Sequence, residues 1–141
     1  MNSETIAYAI PTWNRAATVT RAVHAALERT TGEPSTQIIV HVDGSTDDTV
    51  SRLRGISEQH PRILHLGVSE ADAGYARALL SLLRLAQSRA DVVVLCADDD
   101  LPVPSGLPEV RSDMARPSVD MLSTPVPSDD RDRPDRRTPR A

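Results

Sequence analysis

Val92-Val93-Val94-Leu95-Cys96-Ala97-Asp98-Asp99-Asp100 sets an apolar run directly against three carboxylates. A strand that is apolar on both faces suits the centre of a parallel sheet covered on two sides. In open parallel sheets, ligands settle beyond the carboxyl ends of the strands. The junction at Ala97-Asp98 therefore predicts both a fold class and the place to look for chemistry.

The same grammar recurs upstream. Ile6, Tyr8 and Ile10 alternate with Ala7 and Ala9 before Pro11 interrupts, which predicts a first strand and then a loop. Val19, Ala22, Val23, Ala26 and Leu27 fall on one face of a helix that Gly32 and Pro34 stop. Ile38 to Val42 is a second strand, broken at Asp43-Gly44. Thr46 or Asp47 then caps a helix turning Val50, Leu53 and Ile56 inward, with Pro61 beyond its end. Ile63 to Leu66 makes a short third strand, Gly67 to Ala73 a polar loop, and Ala76, Leu79, Leu80, Leu83 and Ala86 a third helical stripe. After the aspartates come Pro102 and Pro104, a modest helix around Leu107, Val110 and Met114, and a fifth strand from Val119 to Leu122. Strand and helix in alternation predict right-handed α/β crossovers and a mainly parallel sheet with helices on both faces.

Composition narrows the function. The 141 residues carry a formal charge of −4, and all 16 basic residues are arginines scattered along the chain, which gives no nucleic-acid footprint. The longest apolar run, Val92 to Ala97, is far below the roughly 20 residues that span a bilayer. The N-terminus lacks the basic and apolar regions of a signal peptide, so no transmembrane segment and a cytoplasmic location are expected. Cys96 is the single cysteine and is read as a small apolar filler. Residues 1–125 are expected to form one domain, and 126–141, rich in Pro, Arg and Asp with nothing to bury, a disordered tail.

Four strand-end segments carry the polar residues: Pro11-Thr12-Trp13-Asn14-Arg15, Asp43-Gly44-Ser45-Thr46-Asp47-Asp48, Asp72-Ala73-Gly74-Tyr75-Ala76-Arg77, and Asp98-Asp99-Asp100. Adjacent carboxylates repel one another unless a cation lies against them, and hard oxygen donors suit Mg²⁺ or Mn²⁺. Blander roles stand beside these. The aspartate triplet could cap a helix in water, Trp13 could plug the core, Asp43-Gly44 is a common turn pair, and Arg77 could be a solvated helix residue. Asp47 and Asp48 read as helix caps, and the four histidines show no metal spacing.

In this order, Ile10-Pro11-Thr12-Trp13-Asn14-Arg15, Asp43-Gly44-Ser45-Thr46-Asp47-Asp48-Thr49, the Gly74–Arg77 segment and Ala97-Asp98-Asp99-Asp100 resemble family 2 glycosyltransferases, and the similarity runs on through Leu107 to Thr124. The resemblance implies a Rossmann-like GT-A nucleotide-diphospho-sugar transferase fold, here incomplete, and transfer of a sugar from a UDP- or dTDP-linked donor to an acceptor hydroxyl. The acceptor would be a carbohydrate, a lipid or a small molecule. Pro11, Thr12 and Trp13 would line the base pocket, Asp43 would accept the base's imide N–H, Asp98 would approach the ribose, and Arg77 would touch phosphate or base. Asp99 and Asp100 would hold Mn²⁺ or Mg²⁺ at the diphosphate, where a Lewis acid offsets the leaving charge. Val42 and Cys96 stand where many members have further acids. The family's general base comes from sequence beyond the fifth strand, so no catalytic base is assigned. The chain is therefore expected to be a truncated member, and a catalytically inactive nucleotide-sugar-binding remnant is the alternative to an active transferase.

Overall fold

A computed structural model describes residues 4–33 and 35–100. The helix around Leu107, the fifth strand and the tail expected at 126–141 lie outside them. Seven elements follow in order: β1 (Ile6–Thr12), α1 (Ala16–Thr30), β2 (Thr36–Asp43), α2 (Thr49–Gln59), β3 (Leu64–Ser69), α3 (Tyr75–Gln87) and β4 (Val92–Leu95). The four strands are all parallel, in the order β3-β2-β1-β4.

Strand alternation sorts the side chains into two layers. Even-numbered residues such as Tyr8, Ile10, Ile38, Val40 and Leu64 meet Val19 and Val23 of α1 and Leu53 and Ile56 of α2. Odd-numbered Ala7, Ala9 and Ile39 meet Leu82 and Ala86 of α3. Helices thus cover both faces, as the sequence predicts. The chain steps outward from β1 to β3 under α1 and α2. It then returns beneath α3 to place β4 on the other side of β1, which is what right-handed crossovers require. The direction reverses between β1 and β4.

Three sequence expectations are corrected. Pro11 does not end β1, which continues to Thr12 alongside Val42. In β1 the backbone of Ile6 bonds toward β2 and that of Ala9 toward β4. By alternation the missing N–H of Pro11 falls on the β4 side, past the last register pair, Ala9 with Leu95, so no ladder bond is lost. Second, the four described strands do not enclose β4 on both sides. Among the described residues it is the edge strand, and Leu95 is 50% exposed. Third, α3 is turned from its expected phase: Ala78, Leu82 and Ala86 are buried, while Ala76 and Leu80 are exposed. Leucines occur on more than one side of this helix, so composition fits two phases. Small Ala78 and Ala86 allow the closer approach to the alanines of β1.

Among the described residues, no helix is long and apolar enough to cross a membrane.

Candidate functional site

Four loops converge where the strand order reverses. Beyond the carboxyl ends of β1, β2, β3 and β4 lies an open cavity of about 460 Å³. Pro11, Thr12, Trp13 and Arg15 line it from the first loop, Asp43 from the second, Asp72, Gly74 and Tyr75 from the third, and Asp98 and Asp99 from the fourth. Of the residues singled out in the sequence, Pro11, Thr12, Trp13, Asp43, Asp98 and Asp99 are brought together. Arg77 and Asp100 do not line the cavity. Arg77 is exposed on α3, and the backbone N–H of Asp100 closes a turn onto the Ala97 carbonyl at 3.2 Å.

The first three loops are held by side-chain to backbone bonds. Asn14 sits at φ +48°, a left-handed conformation that asparagine tolerates better than most residues. From there its Oδ1 accepts the Thr46 N–H at 2.7 Å, and its own N–H donates to Ser45 Oγ at 2.9 Å, tying the first loop to the second. Asp48 is the N-cap of α2 and makes no side-chain cap bond; the first helical N–H, that of Thr49, is instead accepted by Asp47, one residue earlier, at 3.0 Å. Gly44, at φ +60°, lies under the third loop: a Cβ there would come within 2.3 Å of the Asp72 nitrogen. Asp43 is 5% exposed and accepts the Ala73 N–H at 3.1 Å through Oδ1. A carboxylate has about four lone-pair sites, so acceptor capacity remains for a ligand.

The acidic turn is organised around a side chain rather than left as mutually repelling charges. Thr12 Oγ1 donates to Asp98 Oδ2 at 2.9 Å. Arg15 Nη1 lies 3.6 Å from Asp98 Oδ1 and 3.5 Å from Asp99 Oδ2, so the guanidinium is the cation found between them. Yet the lining still contains four aspartates against one arginine. Such a cavity repels a diphosphate unless further positive charge enters with it. Among the described residues, no group of three or more His, Cys, Asp or Glu could hold a metal unaided. Mg²⁺ and related ions, however, are usually held by one or two carboxylates with phosphate oxygens completing the shell. Asp99, with a side chain 58% exposed and only a loose ion pair, fits that role.

Trp13 is 52% exposed, which removes the core-plug reading. Sequence reasoning assigned no role to Arg15, Asn14 or Tyr75. A cation two residues after Trp13, an amide in a tight turn and an aromatic ring in a strand-end loop were the available signals.

Residues 8–141 match the family described as Glycosyl transferase family 2. Among solved structures, the mannosyltransferase PcManGT from Pyrobaculum calidifontis, in complex with GDP-Man and Mn²⁺, is 28% identical with a TM-score of 0.73, over 84% of this chain and 34% of that one. Glucosyl-3-phosphoglycerate synthase from Mycobacterium tuberculosis, bound to Mn²⁺, UDP and glucosyl-3-phosphoglycerate, is 26% identical with a TM-score of 0.55, over 74% of this chain and 37% of that one. S. aureus TarS shares the fold at 17% identity and a TM-score of 0.60, over 78% of this chain and 19% of that one. This chain therefore spans about a third or less of the structures it resembles. No curated protein matches it.

Proposed function

This chain belongs to glycosyl transferase family 2, and on that premise we propose that it binds a nucleoside diphosphate sugar, UDP- or dTDP-linked, for transfer of the sugar to an acceptor hydroxyl. The observation that carries the proposal is the convergence of Trp13, Asp43, Asp98 and Asp99 on one cavity at the point where the strand order reverses. The structures with 28% and 26% identity, bound to GDP-Man with Mn²⁺ and to UDP with Mn²⁺, support the ligand class.

Each residue has a part that its surroundings allow. The exposed face of Trp13 offers a platform for the base. Asp43, with Oδ1 already receiving the Ala73 amide, keeps acceptor capacity for the single imide N–H of uracil or thymine. Asp98, held by Thr12, meets the ribose. Asp99 holds Mg²⁺ or Mn²⁺, which when bound stabilises charge on the departing diphosphate. In transfer, the acceptor oxygen bonds to the anomeric carbon as the bond from that carbon to the diphosphate oxygen breaks, and the acceptor's proton leaves to a base.

Calorimetry on the 141-residue chain tests this. UDP is expected to bind with Mn²⁺ present and at least about tenfold more weakly without it, and Asp99→Asn is expected to remove most of that metal dependence. Binding of equal strength with and without metal would discredit the assigned site.

A further inference from the structure

The chain has three aromatic residues, Tyr8, Trp13 and Tyr75, and no phenylalanine. Aromatic rings offer the largest apolar surfaces available for burial, so a sequence this poor in them is expected to place them in the core. Tyr8 does so: it is 4% exposed, and burial pushes its hydroxyl up to about 12. The other two do the reverse. Trp13 is 52% exposed and Tyr75 67% exposed, yet both line the same cavity, from loops that follow different strands.

Tyr75 is not there through slackness of its loop. Asp43 Oδ1 accepts the Ala73 N–H at 3.1 Å, and Asp72 Oδ1 accepts the Gly74 N–H at 3.0 Å. Gly74 at φ +88° then turns the chain so that Tyr75 opens α3, whose next turns are anchored by buried Ala78 and Leu82. The backbone under the ring is therefore positioned from both sides. The carboxylate that anchors it, Asp43, is the one read above as receiving the base.

We infer that Tyr75 is the second aromatic wall of the base subsite, so that a nucleobase entering the cavity lies between Trp13 and Tyr75. This rests on the reading of the cavity as a nucleoside diphosphate site. It divides the work of recognition. Stacking tolerates any base, because every base has a π face, whereas the Asp43 carboxylate selects by the hydrogen-bonding edge.

Calorimetry on the full chain with UDP, GDP and inorganic pyrophosphate, each with Mn²⁺, tests the inference. Tyr75→Ala is expected to weaken UDP and GDP alike by about 5- to 100-fold, the range for losing one base–aromatic stack, and to leave pyrophosphate unchanged. Tyr75→Phe is expected to stay within about twofold of the wild type, because the ring and not the hydroxyl does the stacking. If Tyr75→Ala binds UDP as the wild type does while Trp13→Ala does not, Tyr75 is no wall and the inference falls. A parallel loss of pyrophosphate affinity would also overturn it, since the effect would then reach the phosphate end through α3. Failure of the unmutated chain to bind any of the nucleotides overturns the nucleotide reading itself, and is recognised because it needs no substitution.

Discussion

Gly44→Ala probes the apposition on which the cavity depends. The added Cβ would lie 2.3 Å from the Asp72 nitrogen, 2.6 Å from the Ala71 carbonyl carbon and 2.9 Å from the Asp72 Cα, all of them backbone atoms. Ordinary contact begins near 3.4 Å, so the third loop must retreat by roughly 1 Å. That retreat carries the Ala73 N–H out of reach of Asp43, which it now meets at 3.1 Å. Two costs combine. Holding alanine at φ +60° costs about 1–2 kcal/mol. Leaving a buried carboxylate short of a hydrogen bond costs about 1–3 kcal/mol. A loss of about 2–5 kcal/mol corresponds to a fall in melting temperature of roughly 6–20 °C for a chain of this size. UDP affinity is expected to fall with it, because Asp43 and Tyr75 are both displaced. Thermal melts followed by circular dichroism, paired with calorimetry, read both effects. Gly55→Ala is the control: it lies inside α2 with nothing within 4 Å of its Cβ, and is expected to stabilise by about 0.5–1 kcal/mol. Should Gly44→Ala melt within about 2 °C of the wild type and bind UDP equally well, the third loop does not cross Gly44 as described.

Arg15→Gln is expected to change stability by less than about 1 kcal/mol, since both ion pairs are long and the Arg15 side chain is itself 54% exposed; Mn²⁺ titration without nucleotide should show tighter binding once the guanidinium no longer competes for Asp99, and weaker binding would contradict that competition. Asn14→Ala should lose about 2 kcal/mol in denaturant unfolding, and Asn14→Gly less, because glycine keeps the φ +48° turn while both lose the bond to Thr46. Burial holds the imidazoles of His41 and His65 below their ordinary value of 6.5, so the unfolded chain takes up protons first. Stability is accordingly expected in full above that value and to decline as the pH falls from about 6.5 toward the depressed folded values, with His41→Gln flattening the slope; a slope unchanged in both His41→Gln and His65→Gln would refute the assignment.

The layered α/β architecture and most of the site were legible in the residues alone, because both follow from local rules. The alternating run Ile6–Ile10, the β-branched run Ile38–Val42 and the 3.6-residue stripe of α1 specify elements. Alternation of elements then specifies parallel pairing, and polar strand ends such as Asp43-Gly44 and Asp98-Asp99 fall at the carboxyl edge of the sheet by that topology. What the residues could not specify was anything depending on a partner distant in sequence. Whether β1 continues past Pro11 depends on where β4 ends, 84 residues later, because only then is a missing N–H harmless. Which leucines of α3 turn inward depends on how closely the helix approaches Ala7 and Ala9, since several faces of that helix are apolar enough to be buried. That Arg15 lies between Asp98 and Asp99 is a meeting of two loops whose separation in space no periodicity encodes. Local pattern chooses the element, and long-range packing chooses its ends, its rotation and its neighbours.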